Sequence, residues 1–214
     1  MELNYPHTDI NKLLNFGNKL QLQNNKKKLP KIIIIFDDKK FIKKKFESLK
    51  IPRGSAILFR SYKIKDRKKI AKEILKFCRI KSLKLLISSD VKLAREINAD
   101  GVHLPEYMIY DQSKINWKRF KVWKSKFKWI VTAAAHIKKT LYVAIKYDID
   151  AVLLSPIFLT KSHKNNFELG VTKLIKWVHE FKIPIYALGG INLNTIQYLK
   201  KSGIIGFAFK RGHE

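Results

Sequence analysis

The sequence predicts a single (β/α)8 TIM-type barrel, an α/β fold of parallel strands wrapped by helices. Three observations predict it. Short apolar runs of strand length alternate along the chain with stretches of helical spacing. Four runs from about the midpoint onward end in small residues, a proline or a histidine. They are Asp100-Gly-Val-His-Leu-Pro-Glu106, Ile130-Val-Thr-Ala-Ala-Ala-His136, Ala151-Val-Leu-Leu-Ser-Pro-Ile-Phe158 and Ile185-Tyr-Ala-Leu-Gly-Gly-Ile191. The length, 214 residues, fits one compact barrel near the lower size limit of that architecture. Function in such a barrel gathers where the strands end.

The elements follow in order. Residues 1–29 read as an N-terminal helix and basic linker, and residues 30–214 as the barrel. Asn11 can cap the first helix, with Leu13, Leu14, Phe16, Leu20 and Leu22 on its apolar side. Lys31–Phe36 is a continuous β-branched run, as a strand buried on both faces requires. Ser55–Arg60 is a second strand, entered through the turn Pro52-Arg-Gly54. Leu83–Ser88, Gly101–Leu104, Trp129–Ala133, Ala151–Leu154, Pro184–Leu188 and Gly203–Phe209 supply strands three to eight. Helices are expected over Asp66–Cys78, Val91–Asn98, Lys138–Tyr147, Val171–Phe181 and Leu193–Lys201. The segment Tyr107–Lys126 is less regular, and its Trp117, Phe120 and Trp123 read as cover for the core. A closed barrel needs a helix over the seam between its last and first strands. The N-terminal helix is expected to fill that place.

Charge is the unusual property. Lys+Arg 45 against Asp+Glu 17 gives +28, with a sequence pI near 10.1. Such a field draws nucleic acid, anionic lipid or phosphorylated small molecules. The excess is mostly lysine, in runs such as Lys26–Lys28, Lys39–Lys40 and Lys43–Lys45, beside abundant Ile and Asn. That trio is what an AT-rich coding sequence favours, and lysine is a default solvated residue on helix faces. With no reading helix and no paired aromatic signature, a nucleic-acid partner is disfavoured. One cysteine, Cys78, excludes an internal disulfide and a cysteine zinc site, and it reads as a buried small hydrophobe. The polar start and the short apolar runs give neither a signal peptide nor a membrane span, so a cytoplasmic protein is expected.

The strand ends carry a resemblance. Ala99-Asp-Gly-Val-His-Leu104, His136, Ser155-Pro-Ile-Phe158 with Thr160, and Gly189-Gly-Ile191 resemble, in order and spacing, the motif set of the thiamine phosphate synthase/TenI family. The resemblance runs from about Lys31 to Gly212. It implies a barrel that handles phosphorylated thiazole and pyrimidine precursors of thiamine. The family's synthases join a pyrimidine diphosphate to a thiazole phosphate with Mg²⁺ and release pyrophosphate. Its tautomerases move a proton on a thiazole carboxylate with a histidine and no metal. Family members commonly pair, which implies a homodimer.

Residue by residue, the resemblance implies the following. Gly189 and Gly190 match a phosphate loop, where a backbone without Cβ atoms can approach an anion closely. Arg211 stands near the other half of that site and offers a bidentate, charge-assisted contact. Thr160 and Ser162 match two hydroxyl positions, and Lys164 can serve for a pyrophosphate-contacting lysine whose own position holds His163. Arg60 survives from the pyrimidine-diphosphate contacts at strand two, while Leu58 and Tyr62 replace the family's Gln and Lys. The metal-binding Asn-Asp is replaced by Ser88-Ser89, leaving Asp90, Glu106 and Asp111 as the nearest acids for a rebuilt Mg²⁺ site. His103 and His136 end neighbouring strands, and an imidazole suits proton transfer on a heteroaromatic ring.

The residues therefore put a metal-independent, tautomerase-like proton transfer first, with His136 and then His103 as catalytic groups and no required cofactor. A synthase with a rebuilt Mg²⁺ site is the alternative. A non-catalytic, phosphate-binding or regulatory barrel is a third reading, and a polyanion-binding protein the least favoured.

Overall fold

A computed structural model of the protein describes residues 7–19, 29–37, 49–160 and 167–210. Eight parallel strands close into a barrel in sequence order: β1 (Ile32–Phe36), β2 (Ala56–Phe59), β3 (Lys84–Ser88), β4 (Gly101–Leu104), β5 (Ile130–Ala135), β6 (Ala151–Leu154), β7 (Ile185–Leu188) and β8 (Gly206–Lys210). Strand β8 pairs back onto β1, with Ile33 opposite Ala208. The helices are α1 (His7–Lys19), α2 (Arg67–Ile80), α3 (Val91–Glu96), α4 (Glu106–Tyr110), α5 (Trp117–Phe127), α6 (Lys138–Lys146) and α7 (Gly170–Glu180). Among the described residues no helix is long and apolar enough to cross a membrane.

Two apolar layers explain the uninterrupted hydrophobicity of the strands. Ile33, Ile35, Leu58, Leu86, Leu153 and Tyr186 belong to the cluster inside the barrel. Their immediate neighbours, such as Ile32, Ile34, Ile57, Leu85 and Leu154, face the helices. Every strand residue from Ile32 to Phe36 is thus buried, on one side or the other. The same period of two continues at the strand tips. It sets Asp37, Arg60, Ser88, His103, His136 and Lys210 in phase with the inward-facing residues of their strands.

The opposite, N-terminal end is a structural floor. Fully buried Tyr186 donates its hydroxyl to the Pro30 carbonyl at 2.6 Å. Asp100, before β4, accepts the Leu85 amide at 2.8 Å and holds both Arg79 contacts, at 2.8 and 2.9 Å. Asp150 repeats the device before β6, accepting the Val131 amide at 2.8 Å and pairing with Lys124 at 3.1 Å. In each case an acid at the base of one strand fastens the strand before it. Cys78 is buried, its thiol pushed up to about 12 chiefly by burial, as an inert small hydrophobe requires.

Two local expectations are corrected. Helix α1 starts at His7, so Asn11 lies inside it, and its Oδ1 accepts the Lys50 amide at 2.8 Å rather than capping. Leu13 and Leu14 are buried and Phe16 packs against the core, whereas Leu20, Leu22 and the lysine runs lie outside the described residues. The helix expected over Leu193–Lys201 is a single 3-10 turn, Ile196–Leu199. Asn192 Oδ1 accepts the Asn194 and Thr195 amides at 2.8 and 3.1 Å, and Thr195 turns its hydroxyl back to the Gly190 carbonyl at 2.8 Å. This Asx turn uses the residues that would have started the helix.

In the segment after β4, Phe120 is buried and Trp117 stacks on Tyr147 with ring centroids 4.0 Å apart. Both cover the core as expected. Helix α1 lies against the β8–β1 seam. A Cβ on Gly17 would sit 2.2 Å from a Phe207 ring carbon and 3.3 Å from Ile32 Cδ1.

Candidate active site

The C-terminal ends of the strands carry a second set of polar side chains, among them Asp37, Arg60, Ser88, His103, His136 and Lys210. At β1 and β2, Arg60 Nη2 donates to Asp37 Oδ2 at 2.8 Å, and Lys210 from β8 reaches the same oxygen at 3.3 Å. One carboxylate, 17% exposed, therefore fixes two cations at the barrel mouth. The tip of β3 is Ser88, whose hydroxyl meets the Tyr62 hydroxyl at 2.8 Å. Sequence reasoning took Arg60 as a ligand contact but missed Asp37 and favoured Arg211 over Lys210. The inward parity of both missed residues was the available signal.

The two histidines differ. His103 is buried, its Nδ1 3.0 Å from Thr132 Oγ1 on the next strand. Burial first, then the charges of Arg60 and His136, push its pKa down to about 3. His103 is thus a neutral member of the barrel interior at physiological pH. His136 follows β5 and is half-buried. Its ring Nδ1 lies 2.7 Å from Glu106 Oε2 and its backbone N–H donates to Glu106 Oε1 at 3.1 Å.

Glu106 opens α4 and also accepts the Thr140 hydroxyl from α6. The Thr140 proton is spent there, so the Tyr110 hydroxyl, 3.0 Å away, donates to Thr140 Oγ1. Burial raises the Glu106 carboxyl, but the hydrogen bonds from His136 and Thr140 outweigh it and hold the pKa below the usual value. Glu106 is therefore a carboxylate that holds His136, with both of its oxygens engaged.

The other acids are also engaged. Asp90 caps α3 by accepting the Leu93 amide at 2.8 Å and pairs with Arg67 at 3.0 Å. Asp111 accepts the Ser113 amide and hydroxyl at 3.0 and 2.6 Å and lies 3.8 Å from Lys114. Among the described residues no three His, Cys, Asp or Glu side chains gather as a metal centre. Mg²⁺ needs several oxygen donors in near-octahedral array, and the donors among the described residues do not form one.

Gly189 and Gly190 have φ of +95° and +65°. A Cβ on Gly189 would lie 2.8 Å from Pro156 Cα, and one on Gly190 2.5 Å from the Leu159 carbonyl oxygen. Their own carbonyls are used inside the fold. Gly189 accepts the Phe158 amide at 3.1 Å, and Gly190 the Thr195 hydroxyl. The glycines thus seat the β6 loop against the β7 loop, a role that fixes the geometry of any anion site they line. Thr160 is half-buried beside that loop. Ser162, His163, Lys164 and Arg211 lie outside the described residues.

Arg67, the first residue of α2, was not singled out from the sequence. Its guanidinium donates to the Ser61 carbonyl at 3.0 Å, the Ser88 carbonyl at 2.9 Å and Asp90 at 3.0 Å. It lies 5.1 Å from the Phe59 ring centroid and 5.9 Å from that of Tyr62. One planar cation thereby joins the ends of β2 and β3.

Comparisons with known proteins agree with this architecture. A family model described as thiamine monophosphate synthase matches residues 35–212. The chain is 34% identical over 185 residues to a putative thiamine-phosphate synthase 2 of Aquifex aeolicus, covering 84% of this chain and 95% of that protein. It is 32% identical over 148 residues to a thiamine-phosphate synthase of Prochlorococcus marinus, covering 69% of this chain but 40% of the longer relative. A solved thiamine phosphate pyrophosphorylase from Pyrococcus furiosus superposes with a TM-score of 0.66 at 23% identity, covering 87% of this chain and 88% of that one, and shares the fold. On the strength of the family match and the Aquifex relative, the chain belongs to the thiamine monophosphate synthase family.

Proposed function

We propose that the protein works in thiamine biosynthesis by condensation, joining a thiazole phosphate to a pyrimidine diphosphate and releasing diphosphate. The names of its relatives support this reaction over the proton transfer that residue types alone put first. The observation on the molecule that carries it is the pair of cations, Arg60 and Lys210, fixed on Asp37 at the strand ends. Breaking a carbon–oxygen bond to diphosphate leaves charge on phosphoryl oxygens. Cations already aimed at that charge stabilise the transition state without reorganising.

The thiazole phosphate would lie against the Gly189–Gly190 turn, with Thr160 across the loop and Ser162, Lys164 and Arg211 as further candidates. His136, oriented by Glu106, would present its ring to the heterocycle. Arg60 and Lys210 would carry much of the charge balance, and the described acids Asp90, Asp111 and Glu106 already accept hydrogen bonds within the fold.

The Glu106–His136 contact favours proton transfer on a carboxythiazole phosphate as a second reading, because a carboxylate-held imidazole is an acid–base group. One experiment separates the two. The purified protein is incubated with both precursors, with and without Mg²⁺, and thiamine phosphate is measured. Formation of thiamine phosphate is the expected result. Isomerisation of the thiazole without condensation would select the second reading. Equal thiazole binding by the native protein and by His136→Ala, with no product of either kind, would leave a non-catalytic binding barrel.

A further inference from the structure

Glu106 and Tyr110 stand one helical turn apart on α4 and share a face of it. Against them come His136, just after β5, and Thr140, the third residue of α6. The contacts interlock: Glu106 touches both His136 and Thr140, and Tyr110 touches Thr140 as well. A threonine in the first turn of a helix ordinarily bonds its own backbone. The Thr140 hydroxyl instead leaves its helix and bonds across to α4, in a fully buried position.

The two Glu106 oxygens are loaded differently. Oε1 accepts the His136 backbone N–H at 3.1 Å and the Thr140 hydroxyl, while Oε2 meets the ring Nδ1 at 2.7 Å. The terminal torsion of a glutamate is soft and roughly two-fold, so a carboxylate held by His136 alone would exchange its oxygens. Thr140 marks one of them. Its own oxygen accepts from Tyr110 at 3.0 Å, so the hydroxyl turns away only by losing both contacts. Lys139 Nζ, 5.8 Å from the Tyr110 ring centroid, steadies the outer end of the chain.

We propose that Thr140 is a positioning residue for His136, with Tyr110 as its brace. Thr140 fixes the Glu106 carboxylate, and the carboxylate holds the imidazole with its proton on Nδ1, which leaves Nε2 as the nitrogen offered to substrate. The proposal rests on the reading that His136 meets the heterocycle, which condensation and proton transfer share.

Nitrogen-15 histidine labelling of the unliganded protein, at a pH where the imidazole is neutral, tests the hold without any reaction. A single Nδ1–H tautomer is expected for His136. Thr140→Val keeps the shape and removes the hydroxyl, and its His136 Nδ1 proton should exchange with water about tenfold faster, the size of one charge-assisted hydrogen bond. The His103 signals, set by Thr132, should stay in place. In turnover, Thr140→Val should lower kcat about tenfold and leave KM for the thiazole phosphate within about twofold, and Thr140→Ser should restore both exchange and kcat. Tyr110→Phe, at an exposed ring, is the milder probe, with an effect of about threefold on exchange and kcat should Thr140→Val not fold. An Nε2–H tautomer in the native protein, or native exchange or native kcat in both Thr140→Val and Tyr110→Phe, would overturn the proposal. So would a loss in Thr140→Ser equal to that in Thr140→Val, the mark of a merely structural threonine. If the native protein formed neither product, the functional reading would fall, and the exchange rates would still decide whether Thr140 holds the imidazole.

Discussion

Glu106 grips His136 twice, accepting its backbone amide at 3.1 Å and meeting its ring Nδ1 at 2.7 Å. An ionised carboxylate only accepts, so Nδ1 carries the proton and Nε2 is the other functional nitrogen of the ring. Backbone and ring are held by the same two oxygens, so the imidazole has little freedom to turn. Thr140 and, behind it, Tyr110 brace the carboxylate from α6 and α4.

Removing this grip should therefore act on turnover more than on folding. Glu106→Ala is expected to lower kcat about 100-fold, in the range for a disturbed acid–base group. Glu106→Gln should lose less, because its amide oxygen can still accept from Nδ1. Steady-state kinetics on whichever product the enzyme makes would check it. Unchanged turnover in both variants would reduce Glu106 to scaffold.

Acid should unfold the protein through two groups of opposite chemistry and the same sign. His103 has its folded pKa lowered to about 3, so the unfolded chain binds the extra proton between its ordinary value near 6.5 and about 3. Its contribution is complete above pH ~6.5 and is lost as pH falls through that window. Glu106 is also depressed when folded, so its contribution is present above its ordinary value near 4.3 and lost below it. Urea midpoints measured from pH 7 downward should fall in both ranges. His103→Asn should flatten the upper part of the slope, and Glu106→Gln the lower part. A slope unchanged by either substitution would contradict these assignments.

The strands were legible because burial on two faces forces an unbroken apolar run. Gly101–Leu104 and Ala151–Leu154 match their expected limits for that reason. The turn at Ile196–Leu199 was not legible, since buried residues three apart satisfy a 3-10 turn as well as a helix. At the site, residue type suggested chemistry but not partners. Glu106 stands out in the sequence as an acid at a strand end, but its partners His136 and Thr140 are 30 and 34 positions away. Arg67 looked like an ordinary helix start, because its acceptors come from the ends of two different strands.

The turn after β7 allows a sharper test. Gly190 holds a φ of +65°, and a Cβ there would lie 2.5 Å from the Leu159 carbonyl oxygen and 2.7 Å from Phe158 Cβ. Gly190→Ala must shift the β6 loop, at a cost of about 1–3 kcal/mol in stability. Thiazole-phosphate binding should fall by more than that stability loss explains, because the loop carrying Thr160 moves with it. Calorimetry on the folded variant would show this. Native affinity for thiazole phosphate would mean that the glycines serve packing alone.

Helix α1 gives the last prediction. Ile10, Leu13 and Leu14 are buried and share the apolar layer that contains Ile32 and Phe207. Gly17 lets the helix backbone approach the Phe207 ring directly. These contacts span the junction of β8 and β1, where a barrel left uncovered would expose the outer faces of two strands. Leu14 is fully buried, so Leu14→Ala should cost about 2–5 kcal/mol, set by how far α1 can collapse onto the strands. A chain lacking residues 1–28 should lose more, because water then reaches both strand faces. Denaturant unfolding of the two variants should rank them in that order. A truncated protein with the native melting temperature would make α1 an appendage and leave the seam to be covered by something else.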